Sequence, residues 1–569
     1  MPFIFFNIYT LQTIKQILKV LSSSFHLLCR LPFPLAFLLI LSSSSPAAGA
    51  SPGSILIFSR ISRSIKLKAY LFNLEARRQT ETRKKNLGKN GRNRGTDYNL
   101  VDRISWLPDE VLVSILSRLP LKEAAATSIL SRQWRYVWAS TMTLVFDSEF
   151  DIYPFHRFYE IKPELRDQET HRYIDWVNHV VEHHTGTTIE RFRACFHLDY
   201  RYSSSIDKWI HIARKKQVQI LELDFHARAR ENYYTFSEEL LGINQVSASK
   251  LKHSYPEIPS VRFCGYNTGF KFLKALCVRK VSVSQEILEY FLSNCPLLER
   301  LTVGYTTKKL VNLRVVGPSI ALKYLVIESC PGLHSIEISG VNLVSFSYCG
   351  TAINLLLSKV PFLVEVSISE EPVKNSSDHR HRVWGIHYLV SHRSIVLPFT
   401  QLSCCLAQLE ILEVDIVGAV YNDSYTFPIL ANLKHLKLLI GANYYWDLDH
   451  LSSFMKACPY LKRLVLKVNR PTCGERKEIA KVAKCPHNYL KVVEIVGYRA
   501  HACVIQHVMF LMESIVELEK IVIDPVRHWC WPRGTDGGRE EPDLEAKARE
   551  HAMQHLKQRV PSTVEFVCL

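Results

Sequence analysis

One short pattern of apolar positions recurs along most of the chain: an apolar residue, two others, an apolar residue, one other, and a third apolar residue. It occurs at Leu298, Leu301, Val303; Leu322, Leu325, Ile327; Leu343, Phe346, Tyr348; and Leu363, Val366, Ile368. It returns at Leu409, Leu412, Val414; Leu433, Leu436, Leu438; Leu461, Leu464, Leu466; and Leu490, Val493, Ile495, with an earlier copy at Leu273, Leu276, Val278. Alternation at the end of each copy is what a strand with one buried face requires. Several copies follow apolar or helical stretches that end in Cys-Pro, as in "FLSNCPLLERLTV" and "FMKACPYLKRLVL". There the proline stops the helix and the chain turns into the strand.

Successive copies start 25, 24, 21, 20, 46, 24, 28 and 29 residues apart. The interval of 46 residues reads as two units with one copy of the pattern lost. Units of this length, each with one short strand and a return segment, are the sequence signature of a leucine-rich repeat. Neighbouring units share a continuous core, so the expected fold is an α/β solenoid with an extended binding face. An ordinary α/β domain with Leu-rich strands stays open as the alternative. The insertion Ser369–Ser394 is expected to leave the frame as a loop and is a candidate for recognition.

A different period governs the stretch before the repeats. In "LPDEVLVSILSRLP", Leu107–Pro120, the side chains of Val111, Ile115, Leu119, Leu112 and Leu116 fall between about 0° and 140° on a helical wheel, with Val113 near 200°. Pro108 suits the first turn, Asp109 and Glu110 complement the positive end of the helix, and Pro120 ends it. An Ala-rich run from Leu121 to Leu130 and a third run with Trp134, Val137 and Trp138 complete a unit of three short helices. So small a unit is marginal by itself. Its apolar stripe is wider than one packing face needs, which predicts that part of it is covered by another chain.

Composition narrows the partners. The 569 residues are 47% apolar, enough for a large core. The formal charge of +17 is unevenly spread: residues 1–100 hold 15 Lys/Arg against 3 Asp/Glu, a net +12 that leaves +5 for the rest. The basic character belongs to a tail, which disfavours a base-reading surface on the folded body. The 15 cysteines include no C-x-x-C pair, so neither a disulfide framework nor a zinc site is indicated by spacing. Cys295, Cys330, Cys458 and Cys485 each precede a proline in apolar surroundings and read as buried thiols in a reducing compartment.

"LPFPLAFLLIL" (Leu31–Leu41), followed by Ala48 to Ala50, has the look of a secretory signal but is too short to span a membrane. Three readings remain for residues 1–100: a disordered extension, which is preferred and implies a start set too early, an organelle-targeting segment, or a true signal. The basic linker Arg77–Gly95 is a weak nuclear-localisation pattern, and folded sequence is expected from about Asp102.

Enzyme signatures for phosphate loops, dinucleotide binding, nucleophile elbows and zinc proteases are absent. The histidines His379, His381, His387 and His392 are expected in a solvated loop rather than a metal site, and His183 and His184 are read the same way. Asn375 and Asn422 head glycosylation sequons that matter only in a secreted chain. Trp529, Cys530 and Trp531 are read as packing residues.

The segment Asp102–Ser140, with "LPDE", "SRLP" and "SILSRQWRYVW" in order, resembles the F-box of the plant F-box/leucine-rich-repeat family. Cys485–Ile523 more loosely resembles the FBD region that ends many of those proteins. The resemblance implies a non-catalytic substrate receptor of an SCF-type cullin ubiquitin ligase, needing no cofactor and working in cytoplasm or nucleus. Its F-box would dock on a Skp-type adaptor, and through it on the cullin and RING subunits, while the repeats hold a protein target. Carried over, the adaptor contacts are Leu107, Pro108, Val111, Ile115, Leu116, Leu119 and Pro120. Trp134 and Trp138 are candidates for the bundle core, with Trp134 also bordering the interface. The implied organisation is a basic extension at 1–100, F-box at 102–142, solenoid at 143–480, an FBD-like end of the solenoid at 481–530 and a tail with a short helix at 531–569. The alternative class is a nucleic-acid-associated or secreted repeat protein; nucleic acid and membrane are both disfavoured as partners.

Overall fold

The computed structural model describes residues 107–129, 134–147, 163–227, 229–241, 269–370, 393–394, 396–416, 419–420, 427–441, 448–469, 485–526 and 541–569. The basic extension, the start of the F-box before Leu107, Leu130, the histidine-bearing insertion, both sequons and Trp529–Trp531 lie outside the described residues.

The strands in chain order are β1 (Thr143–Asp147), β2 (Arg191–Phe196), β3 (Ile220–Phe225), β4 (Ala275–Arg279), β5 (Arg300–Gly304), β6 (Asn312–Val316), β7 (Tyr324–Glu328), β8 (Ser335–Ser339), β9 (Ser345–Gly350), β10 (Asn354–Ser358), β11 (Glu365–Glu370), β12 (Arg393–Ser394), β13 (Ile411–Asp415), β14 (Ala419–Val420), β15 (His435–Gly441), β16 (Arg463–Asn469), β17 (Val492–Val496), β18 (Lys520–Asp524) and β19 (Glu565–Cys568). Fourteen of them form one open sheet in the order β1-β2-β3-β4-β5-β7-β9-β11-β13-β15-β16-β17-β18-β19. Every pairing in it is parallel.

All nine copies of the apolar pattern become strands of this sheet, each strand starting two residues after the copy does. Register then stacks like on like. Leu276, Leu301, Leu325, Phe346, Val366, Leu412, Leu436, Leu464 and Val493 form one continuous row of direct neighbours. All nine are buried, so the row is the spine of the core. Because each unit lends its strand to the next, no repeat closes its core alone, and stability is shared between neighbours.

The return segments differ along the sheet. Helices α4 (Pro163–His183), α5 (Ser203–Lys215) and α6 (Gln285–Asn294) serve the first units, and α7 (Val396–Gln401), α8 (Leu448–Ala457), α9 (Ala502–Ser514) and α10 (Glu541–His551) the later ones. Between β5 and β11 the chain returns instead by β10, β8 and β6, which pair as a second parallel sheet. Those units start 24, 21 and 20 residues apart, the shortest run in the chain, because a five-residue strand takes fewer residues than a helix and its turns.

The Cys-Pro steps behave as expected. Helix α6 stops before Cys295-Pro296 and α8 before Cys458-Pro459, and the backbone N–H of Leu298 and of Leu461 then donates to the cysteine carbonyl, closing a turn with proline at its second position. Cys295, Cys330, Cys458 and Cys485 are all buried, and burial pushes the first three thiols up to about 12. At the other end of several strands the next residue takes a left-handed conformation: Gly317, Gly340 and Gly497 do so without a Cβ, whereas Lys280, Tyr305 and Ser329 do so against their steric preference.

Three expectations need correction. The interval of 46 residues holds one unit with an insertion, not two units, since β11 and β13 are hydrogen-bonded neighbours with no room for a lost strand. The sheet also runs past the boundary drawn at 530: β19 pairs with β18, and what reads as a tail supplies both α10 and the last strand. Finally, Pro108 precedes the first helix as its cap residue instead of standing in its first turn.

Candidate adaptor-docking surface

The unit before the sheet consists of α1 (Asp109–Leu116), α2 (Leu121–Ala126) continued by a 3-10 turn at Thr127–Ile129, and α3 (Trp134–Val137) continued by another at Trp138–Ser140. Pro108 is extended, and its carbonyl accepts the N–H groups of Val111 (3.0 Å) and Leu112 (3.1 Å), which starts α1. Asp109 and Glu110 stand in the first turn beside the positive end of the helix.

The wide apolar stripe of α1 is split in two. Leu112 and Leu116 turn inward and form the bundle's own core with Ala124, Trp134 and Val137. Val111 is half-buried without joining that core, and Ile115 is 38% exposed. Leu107 and Leu119 are half-buried on the rim of the core, and Pro108 and Pro120, which bracket the helix, are exposed. Of the eight residues singled out in the sequence, six therefore retain accessible surface: Leu107, Pro108, Val111, Ile115, Leu119 and Pro120. Leu116 (1% exposed) and Trp134 (6%) are packed inside.

The sequence pattern did not reveal how the bundle joins the sheet. Leu121 leaves the bundle core and enters the core of the repeats, and Trp138 packs against both. The Ser117 hydroxyl donates to the Val113 carbonyl (2.7 Å) and accepts the Met142 N–H (2.9 Å) just ahead of β1. Ser140 and Thr185 share a hydroxyl hydrogen bond of 2.7 Å, and the Thr185 N–H donates to the Ala139 carbonyl. His184 Nε2 lies 3.0 Å from the Thr141 carbonyl; a carbonyl only accepts, so this nitrogen carries the proton. Against the solvated loop expected for this pair, His183 ends helix α4 and His184 is buried, and burial lowers the His184 pKa below the ordinary imidazole value, more than this hydrogen bond raises it. The bundle is thus joined to the chain's own first repeat through Leu121 and Trp138, not through the α1 stripe. The repeat does not seal the Val111 and Ile115 side.

The sheet's open face is polar, and its charges are mostly spent on neighbours. Arg191 pairs with Glu222 (2.7 Å) and Arg193 with Asp147 (2.7 Å) at one end, and Glu413 pairs with Lys467 and Arg463 with Glu494 at the other. Arg279 on β4 reaches Glu328 on β7 (2.8 Å) across β5, where Gly304 has no side chain to block the pair. Between these ends Thr302, Val326, Ser347 and Ser367 are direct neighbours in register, an uncharged band across the middle strands. No helix among the described residues is long and apolar enough to cross a membrane.

Comparison with known proteins agrees with this division. The family model for the leucine-rich-repeat domain of At1g61320/AtMIF1 matches residues 180–569, and the F-box domain model matches residues 104–145. The chain belongs to the plant F-box/leucine-rich-repeat family. Its relatives include the F-box/FBD/LRR-repeat protein At5g22700 of Arabidopsis thaliana, 26% identical over 455 residues that cover 74% of this chain and 92% of the relative. The putative F-box/LRR-repeat protein At3g58880 of the same plant is 26% identical over 77% of this chain and 95% of its own length. The putative F-box/FBD/LRR-repeat protein At5g62970 is 27% identical over 64% and 78%. Family members with these modules have the architecture of substrate-recognition subunits, and the F-box in general implies an adaptor of the Skp type.

Proposed function

We propose that this chain is the non-catalytic substrate receptor of an SCF-type cullin ubiquitin ligase. In this reading Leu107, Pro108, Val111, Ile115, Leu119 and Pro120 dock on a Skp-type adaptor, which links the chain to the cullin and RING subunits. A protein target lies against the sheet's open face. The reading is carried by the split stripe of α1: Leu112 and Leu116 satisfy the bundle, while Ile115 stays 38% exposed beside half-buried Val111 on a helix too short to need both sides. Leu116 and Trp134 support the surface from inside and do not contact the adaptor.

The receptor acts by proximity. Holding the target's lysines near a charged conjugating enzyme raises their effective concentration, so no catalytic group is required here. The cytoplasm or nucleus, where such ligases and reduced cysteines coexist, is the proposed compartment. The test is co-purification of the full chain with a Skp-type adaptor, compared with the double variant Leu107→Ala, Pro108→Ala. The variant is expected to lose adaptor while circular dichroism shows the solenoid still folded. Equal recovery of adaptor with both would place the interface elsewhere.

A further inference from the structure

Strands β2 and β3 end on matching triplets, Cys195-Phe196-His197 and Asp224-Phe225-His226. Register sets Cys195 directly against Asp224 and Phe196 against Phe225. Both phenylalanines are buried, so alternation turns the donor residues on either side of them to the open face. There the tips converge. Cys195 Sγ lies 3.6 Å from His226 Nε2, Asp224 Oδ1 lies 3.7 Å from the same nitrogen, and one donor atom from each of the three falls within 4.8 Å of the others. His197 lies beside them, its ring 5.4 Å from that of His226 and its Nδ1 3.0 Å from the His226 carbonyl.

This is the spacing of ligands around one centre. Zinc bonds of about 2.3 Å to sulfur and 2.0–2.1 Å to nitrogen, arranged tetrahedrally, hold the S and N ligands about 3.6 Å apart. Cys195 and Asp224 face the same nitrogen of His226, whereas a proton relay would need them on opposite ring nitrogens. A thiolate, a carboxylate and a neutral imidazole suit a divalent ion of borderline softness. The nearby guanidiniums are already compensated, Arg193 by Asp147 and Glu222 and Arg279 by Glu328. Lys280 opposes the ion: its Nζ stands 3.3 Å from His226 Nδ1.

We propose that Cys195, Asp224 and His226 form a binding site for one zinc-class divalent ion, with the adjacent His197 a candidate for the fourth position. Cys195 is buried, and the site joins two adjacent strands of the first repeats, so the ion would act as a structural clamp rather than a catalyst. Sequence spacing hides it because each strand supplies donors only two residues apart and the strands are 29 residues from each other in register.

The full chain, stripped with a chelator, is titrated with Co²⁺, whose thiolate charge-transfer absorption reports sulfur ligation. The parent should bind one equivalent with that absorption and release it to Zn²⁺. Cys195→Ser should abolish the absorption, and His226→Gln should weaken binding at least about tenfold, with folding followed by circular dichroism. Lys280→Met should bind more tightly, a gain that loss of folding cannot produce. Absence of thiolate absorption in the parent, its persistence in Cys195→Ser, or no tightening in Lys280→Met would overturn the site.

Discussion

Replacing Ile115 should weaken the adaptor complex without loosening the F-box. Ile115 is 38% exposed, and burying a whole isoleucine side chain is worth about 1.5–3 kcal/mol, so covering the open part contributes about 0.6–1.1 kcal/mol. Ile115→Ala is then expected to raise the adaptor Kd about three- to sixfold. Ile115→Asp puts an unpaired carboxylate where the complex excludes water and should weaken binding by more than about a hundredfold. The neighbour provides the contrast. Leu116 is 1% exposed, and Leu116→Ala should cost the bundle about 2–5 kcal/mol through the cavity it leaves, lowering the unfolding temperature of the F-box first. Calorimetric titration with a purified Skp-type adaptor, paired with thermal unfolding of each variant, separates the two effects. If Ile115→Asp binds adaptor as the parent does, the outward half of the α1 stripe is not the docking surface.

Other predictions address the joint and the repeats. Below about pH 6.5 the unfolded chain protonates His184 readily while the folded chain resists, because burial lowers its folded pKa; stability is complete above that pH and falls on acidification by at most about 1.4 kcal/mol per unit. Thermal melts from pH 8 to pH 5 should show this slope reduced in His184→Gln. A Cβ on Gly332 would stand 2.6 Å from the Lys308 Cα and 2.7 Å from its carbonyl oxygen, so Gly332→Ala should destabilise by about 1–3 kcal/mol in denaturant titrations. Gly304→Ala should cost less, because its Cβ meets the movable end of Glu328 (2.9 Å) and the Arg279 side chain (3.1 Å); the assay is the same. Phe346→Ala, in the buried row, should lose about 3–5 kcal/mol and broaden the transition, since the core on both sides of β9 depends on it.

The repeat frame was legible because one buried face and a fixed strand length force the same apolar spacing in every unit. Three further strands obey it less visibly: Ile189, Phe192, Ala194 ahead of and in β2; Val218, Leu221, Leu223 at β3; and Leu518, Ile521, Ile523 at β18. Alanine in the first of these and the long interval from Val218 to Leu273 break the visual rhythm, although the register is continuous. The 46-residue interval misled for the opposite reason: spacing records chain length, while hydrogen bonding records only which strands meet. Within the F-box the helical wheel gave the stripe but could not divide it. Outward Ile115 and inward Leu112 and Leu116 belong to one unbroken stripe on the wheel, and only packing against Ala124 and Trp134 decides which part is covered. The Cys195, Asp224 and His226 cluster was out of reach of any local spacing, since it exists only once β2 lies beside β3.

A second protein completes the uncovered side of the small N-terminal helical unit in the proposed function. Hydrogen–deuterium exchange of the full chain with and without a Skp-type adaptor tests it most directly. Protection is expected to concentrate in peptides covering residues 107–120, with the open face of the sheet unchanged. Unaltered exchange over 107–120 in a sample where the adaptor is bound would contradict it.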